Sequence, residues 1–276
     1  MIEWLAAGAA AVGAYAALVE PRRLAWREVS VSSNLWPRGW HPLRIAVLSD
    51  LHAAWPHVTA ARVRRLAERI ASHCPDLVLL PGDFVSTGTA CVVQVPIEAT
   101  AAALSALPKA APTFAVLGNH DHHIGARRVA AALADAGVTS LYNRAELIRL
   151  GGRELWLAGV DCLRTGRADL PKALACVPRD AAATILLSHI PDIIRRVPDN
   201  VLLTVSGHTH GGQVRVPGLP PLITHSRLPR AMARGLHRLG ERHLYVSAGV
   251  GSTGLPIRMG VLPEIALLTL SRTPES

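Results

Sequence analysis

The chain has 276 residues, enough for one large domain or two small ones, and half of them are hydrophobic, which is ample material for a core. Lys and Arg outnumber Asp and Glu by 29 to 20, so the formal charge is +9 and the favoured partners are anionic: nucleic acid, phosphorylated substrates or an acidic membrane face. Cys74, Cys91, Cys162 and Cys176 form no Cys-x-x-Cys pair and no spacing that suggests a disulfide framework; they read as buried thiols of a reducing compartment.

In chain order, residues 1–27 come first and are expected to form an N-terminal membrane anchor or an uncleaved signal-like segment. The stretch "WLAAGAAAVGAYAALV" (4–19) carries no charge, and "EPRRLAWR" (20–27) follows. A full bilayer span takes about 20 apolar residues, so the run is short. Only Glu3 precedes it, unlike a secretory signal, although "AYA" (14–16) resembles a cleavage site. Arg22, Arg23 and Arg27 after the run place the following domain on the cytoplasmic side of an inner membrane, with export as the alternative.

Beyond residue 43 short apolar runs alternate with amphipathic stretches. "RIAVLS" (44–49), "LVLLPGD" (77–83) and "TFAVLGN" (113–119) read as buried strands. "TAARVRRLAERIASH" (59–73) predicts a helix capped by Thr59; further helices are expected over 97–107 and over 126–137, the last stopped by Gly137. The second half reads as strands at 154–159, 184–188, 201–206, 213–216, 243–248 and 264–270. Strands alternating with helices, then strands predominating, imply a layered α/β domain over 43–271. The Pro-rich stretch "VPGLPPLITHSRLPR" (216–230) reads as a long loop, either a binding loop or a surface excursion.

Polar groups cluster where these strands end. "LSDLH" supplies Asp50 and His52, "PGDF" Asp83, "LGNHDHH" Asn119 and His120, "LSHIPD" His189, and "SGHTH" His208 and His210. Residues two apart in an extended segment face one side, so Asp50 with His52, and His208 with His210, can each project two ligands into one site. Carboxylates and an amide suit Mn²⁺ or Mg²⁺, and imidazoles extend the range to Fe and Zn²⁺.

These motifs, Asp-x-His, Gly-Asp, Gly-Asn-His-Asp, His and Gly-His-x-His in that order, resemble those of the calcineurin-like metallophosphoesterases over residues 43 to 270. "GHTHGGQVRVPG" and "GVGSTGLPIRMGVLPEI" resemble the bacterial membrane-associated phosphodiesterase branch, a smaller relative of lipid-linked pyrophosphatases. The resemblance implies a four-layer α/β fold, two packed mixed β-sheets flanked by helices. It implies two divalent cations, Mn²⁺ favoured over Mg²⁺, Fe or Zn²⁺. Asp50, His52 and His210 would hold one, Asn119, His189 and His208 the other, and Asp83 would bridge them. A carboxylate can bridge cations about 3.5–4 Å apart, and such a pair brings a shared water's pKa towards about 7. His120 would be the catalytic acid, since an imidazole titrates near working pH. Asp121 would orient backbone or water, or cap a turn. Many relatives carry an Asp three residues after the bridging one to pair with that histidine; here Ser86 stands there.

The implied activity is hydrolysis of a phosphodiester or pyrophosphate at a membrane surface by metal-activated hydroxide, with lipid-linked substrates included. The alternatives are a nuclease or nucleotide phosphodiesterase, a UDP-2,3-diacylglucosamine-type lipid pyrophosphatase, and, least favoured, a non-catalytic scaffold. Arg258 and His123 are candidate substrate contacts, Arg258 equally readable as a structural arginine; His122 and His123 read first as solvated loop residues. The basic stretch "RLPRAMARGLHR" (227–238) suits either an anionic membrane surface or water; it lacks the interleaved aromatics that would favour nucleic acid. "GVGSTG" (249–254) matches Gly-x-Gly-x-x-Gly, but Pro256 follows where a helix should start, so a dinucleotide site is excluded.

Overall fold

The computed structural model describes residues 2–216 and 218–274. An apolar helix, α1 (Ile2–Ala14), continues through a π turn (Tyr15–Val19) and a 3-10 turn (Glu20–Arg22) into β1 (Ala25–Ser33). Next come β2 (Leu43–Val47), the short β3 (Ala54–Trp55), α2 (Ala60–Ser72), β4 (Leu77–Leu80) and the short β5 (Val93–Gln94). The first half closes with α3 (Ile97–Ala103), α4 (Ala106–Ala110), β6 (Thr113–Ala115), α5 (Asn119–Ile124), α6 (Ala126–Asp135) and β7 (Thr139–Ser140). The second half holds β8 (Arg144–Leu150), β9 (Arg153–Val160), α7 (Leu170–Leu174), β10 (Thr184–Ser188), β11 (Leu203–Ser206), β12 (Gly235–Leu239), β13 (Arg242–Val246) and β14 (Glu264–Arg272).

Two six-stranded mixed sheets result, ordered β1-β14-β2-β4-β6-β7 and β12-β13-β11-β10-β9-β8. They pack face to face. In β4, Leu77 and Leu79 join the core between the sheets while Val78 and Leu80 join the core under the helices, as the two-residue period of a strand requires. Ile185 and Leu187 of β10 and Leu203 and Val205 of β11 supply the opposing inner face. Val63, Leu66, Ala67 and Ile70 of α2 cover the first sheet from outside; Leu170, Ile193 and Ile194 cover the second. The layers run helix, sheet, sheet, helix, as the sequence led us to expect.

Several details differ from expectation. The helix over 97–107 is broken into α3 and α4, because Pro108 has no N–H to return to the Leu104 carbonyl; Leu107 N donates there instead, at 2.9 Å. Residues 213–216 form no strand; Val214 makes one bridge, to Met259. β1 crosses the boundary expected at residue 27 and pairs in parallel with β14 from Ala25↔Glu264 to Ser33↔Arg272, so the first sheet begins well before residue 43. β8 and β12, also unanticipated, close the second sheet as antiparallel edges. Only Cys162 is buried; Cys74, Cys91 and Cys176 are exposed thiols.

Candidate metal centre

β2, β4 and β6 run parallel in one sheet and β10 and β11 in the other, and their C-terminal ends meet at one edge of the sandwich. Every expected ligand follows one of these ends. The convergence does not come from strand alternation. Asp50 (φ 49°), His52 (φ 39°), Asp83 (φ 56°), His208 (φ 72°) and His210 (φ 52°) all adopt left-handed backbone, a conformation that side chains other than glycine take at a cost. β2, β4 and β11 therefore end in tight turns that aim their polar groups inward. Gly118 and Gly207 permit the closest of these approaches, since a Cβ would stand 2.1 Å from Asp83 Oδ1 at the first and 2.1 Å from Asp50 Oδ2 at the second.

The two sheets are joined through these groups. His208 N donates to Asp50 Oδ1 at 2.9 Å, and His189 Nδ1 pairs with the Pro81 carbonyl at 2.8 Å. That bond turns His189 Nε2 towards Asp83 Oδ2, 3.2 Å away. His52 Nε2 faces the same oxygen at 3.4 Å and His210 Nε2 at 3.1 Å; His210 Nε2 in turn lies 3.7 Å from Asp50 Oδ1. His208 Nδ1 and His189 Nε2 stand 3.1 Å apart. Two groups of three emerge, Asp50–His52–His210 and Asp83–His189–His208, each with its ligand atoms within 4.8 Å of one another.

This donor set fits divalent cations. Imidazole nitrogens of different rings face each other, an arrangement that needs a shared proton or a cation between them. Asn119 Oδ1 is buried with no hydrogen-bond partner, as an amide oxygen waiting for an ion would be. Burial pushes His52 down to about 3 and holds His208 and His210 well below the usual histidine range, so these rings are neutral, the form that ligates. Burial also pushes Asp50 up to about 6. Burial opposes a charge on His189, but the Asp83 carboxylate outweighs it and holds the ring up to about 10; Asp83 itself is held well below the usual carboxylate range despite its burial.

His120 lies beside the cluster. Its backbone N–H donates to Asp83 Oδ1 at 2.9 Å and its ring stands edge-on to His52, centroids 4.7 Å apart. No carboxylate pairs with it among the described residues. Nδ1 instead meets the Thr87 hydroxyl at 2.5 Å, next to Ser86, whose own hydroxyl turns to Thr89. Nε2 lies 3.5 Å from Thr253 Oγ1. Burial lowers its pKa. The ring is also close enough to His52 and Asp83 to form a third metal-ligating group with them. Asp121 proves to be a turn-capping carboxylate: it accepts from the backbone N–H groups of Asp83, Phe84, Val85 and Gly118, tying two motif turns together.

His123 is exposed at the rim, its ring centroid 5.8 Å from that of His120. His122 is not a solvated loop residue. Its Nε2 pairs at 2.7 Å with Asp161, a buried carboxylate that follows β9 and that no sequence motif marks. Burial works to raise Asp161, but hydrogen bonds from His122, Tyr142, Arg167 N and Cys162 N hold it below its ordinary value. Arg258 does not point at a substrate phosphate. Its guanidinium is fully buried and donates to the carbonyls of Ala248, Gly249, Gly251 and Val261.

A cavity of about 300 Å³ opens onto the cluster between Thr209–Gln213 and Thr253–Ile257. Its lip is apolar: Leu222, Ile223 and Leu255 are 67%, 62% and 56% exposed. A larger cavity, about 690 Å³ beneath α7, includes none of the cluster residues.

Residues 43–212 match the sequence profile of the calcineurin-like phosphoesterases. The chain is 32% identical over 275 residues to a Bacillus subtilis protein named uncharacterized metallophosphoesterase YkuE, covering 98% of this chain and 94% of that one. It is 35% identical over 239 residues to phosphodiesterase YaeI of Escherichia coli, covering 83% and 82%. A Bos taurus transmembrane protein with metallophosphoesterase domain is 32% identical over 267 residues, covering 89% of this chain and 57% of that protein.

Proposed function

This chain belongs to the calcineurin-like phosphoesterases and is a metal-dependent phosphoester hydrolase; from that premise we propose that it cleaves a phosphodiester or pyrophosphate with two divalent cations, at a membrane surface. The supporting observation is the cluster itself: seven buried polar groups from five strand ends, several of their donor atoms without protein partners. Asp50, His52 and His210 would hold one cation and Asn119, His189 and His208 the other, with Asp83 contributing its carboxylate between the two groups. Mn²⁺ fits this mixture of carboxylate, amide and imidazole best. When bound, the pair supplies Lewis acidity and a water acidic enough to attack phosphorus at neutral pH.

The chain's own groups do the rest. Asp121 fixes the turns that carry Asp83 and Asn119. Thr87 holds His120 at Nδ1, which leaves Nε2 to give a proton to the departing ester oxygen. His123 at the rim contacts the remainder of the substrate. His52, His208 and His210 stay neutral in their burial and so retain their lone pairs.

The membrane reading rests on the apolar helix running from Glu3 to Arg22, whose first part, before the buried Ala16, stands clear of the domain and is free to attach to a bilayer. Trp4, Leu5 and Leu18 on it are exposed. Arg22, Arg23 and Arg27 orient the hydrolase towards the cytoplasm. The apolar lip of the cavity suits a lipid-linked phosphodiester or pyrophosphate, with the phosphate at the cluster and the chain across Leu222, Ile223 and Leu255.

The test is a substrate panel on chelator-stripped protein reloaded with Mn²⁺, Mg²⁺, Fe²⁺ or Zn²⁺: bis-p-nitrophenyl phosphate, a lipid-linked pyrophosphate in vesicles, cyclic nucleotides and an oligonucleotide. We expect metal-dependent turnover of the first two. Preference for the oligonucleotide, weakening steeply with salt, would replace the lipid reading with a nuclease. No turnover with any metal contradicts the proposal.

A further inference from the structure

The foot of the N-terminal helix is bonded into the domain at a place that leads to the metal ligands. The Ala16 carbonyl accepts from Arg258 N at 2.9 Å, and Glu20, a buried carboxylate, accepts from Val261 N at 2.8 Å through Oε1. From the other side Arg62 of α2 donates to the Pro21 carbonyl at 2.7 Å and the Arg23 carbonyl at 3.3 Å. A buried carboxylate just past an apolar helix is costly unless hydrogen-bonded, so this contact is a constructed one.

Arg258 carries the connection inward. Its backbone is held by Ala16, and its guanidinium gathers the carbonyls of Ala248, Gly249 and Gly251. That loop lies directly on the ligand-bearing turn: Val250 N donates to the Ser49 carbonyl at 3.0 Å and Gly251 N to the Asp50 carbonyl at 2.7 Å. No side chain fits between them. A Cβ on Gly249 would stand 2.5 Å from Asp50 Cβ, and one on Gly251 would stand 2.2 Å from the Leu51 carbonyl oxygen. The segment so covered is the one whose Asp50 and His52 hold left-handed backbone, a conformation that persists only where surroundings enforce it.

We infer that residues 16–23 are a strap that positions the Asp50–His52 ligand pair, acting through Glu20 and Arg258 on the 248–251 loop. The apolar segment is then two devices in sequence. Residues 2–14 are free to attach to a membrane, and the stretch below them is a structural member of the metal site. This goes beyond the proposed activity but takes from it that Asp50 and His52 are ligands. Glu20 and Arg258 are positioning residues, since neither reaches the reacting atoms.

Three variants of the full chain separate strap from anchor: Glu20→Ala, Glu20→Gln and deletion of residues 2–14. Each is stripped, titrated with Mn²⁺ by calorimetry and followed by amide hydrogen exchange. In Glu20→Ala one Mn²⁺ should bind about 10- to 100-fold more weakly, the usual consequence of losing support behind a ligand. Protection should fall at Val250, Gly251 and Val261 ahead of the sheets. Glu20→Gln keeps an oxygen for Val261 N and should restore both readouts, and the deletion should leave both unchanged. The inference is overturned if Glu20→Ala binds both ions as wild type does, if the Gln variant loses as much as the Ala variant, or if protection falls evenly along the chain. Should the wild-type protein itself take up no metal, the ligand reading fails, and the exchange pattern alone judges the strap.

Discussion

The strand-end cluster and the Pro-rich stretch at 216–230 border the same cavity and are built in opposite ways. In the cluster every group is buried, five of the seven hold left-handed backbone, and positions are fixed from several directions: Asp83 alone touches two histidines and the His120 N–H. In the stretch, Leu219, Leu222 and Ile223 lie open to solvent. The first region is made to hold one geometry at a cost in local stability. The second spends exposed apolar surface where a soluble protein gains nothing from it. Under the proposed function chemistry falls to the cluster and choice of substrate to the lip, so substitutions in each should fail differently.

The largest effect is expected at the centre of the cluster. Asp83→Ala should lower turnover of bis-p-nitrophenyl phosphate by about 10³- to 10⁵-fold, the loss of several kcal/mol of charge stabilisation, and reduce bound metal below two ions per chain by elemental analysis. Wild-type turnover in that variant would remove the cluster from the chemistry. Next, His120→Asn should retain both ions and lose about 10²- to 10⁴-fold on esters with poor leaving groups, with a smaller loss on p-nitrophenyl esters, which need little protonation. Equal losses would assign His120 to phosphate positioning; loss of an ion would make it a ligand.

At the lip, Leu222→Asp should behave differently in kind. We expect kcat/KM for a lipid-linked substrate in vesicles to fall by about 10- to 100-fold, the value of burying one leucine, far more than for bis-p-nitrophenyl phosphate. An equal fall on both would show that the lip shapes the cluster rather than the substrate.

The smallest effect concerns the His122–Asp161 pair behind the site. Asp161→Asn should cost about 1–2 kcal/mol of stability at pH 7. Asp161 is held below its ordinary value in the folded chain, so its contribution is complete above the unfolded carboxylate pKa near 3.9 and is lost as pH falls through the lower folded value. Urea melts of the two proteins should therefore differ at pH 7 and begin to converge only as pH falls below about 4; a difference that grows on acidification would reverse the assignment.

The cluster was legible in the sequence because its turns demand particular residues: an Asp, His or Asn after each apolar strand has few other uses there. What joins those residues was not. Asp161 stands alone in "GVDC", with nothing nearby to mark it as the partner of His122. Thr87 takes the place of an expected carboxylate and is recognisable only by its position against His120. Arg258 lies in a glycine-rich loop that suits phosphate contact, and only the fold shows its donors committed to carbonyls. The layered α/β order was legible from strand and helix periods. The edge strand β1 was not, since "AWREVSVSS" lies beside an apolar helix and its partner β14 is more than 230 residues away. The left-handed turns were also invisible, and with them the real reason that Asp50 and His52 converge.

The most direct test is a crystal structure of the protein grown with Mn²⁺ and collected at the manganese edge. Two anomalous peaks should appear, one among Asp50, His52 and His210 and one among Asn119, His189 and His208, with Asp83 in contact with both. A single peak, or peaks away from these side chains, would contradict the two-cation site on which the proposed hydrolysis depends.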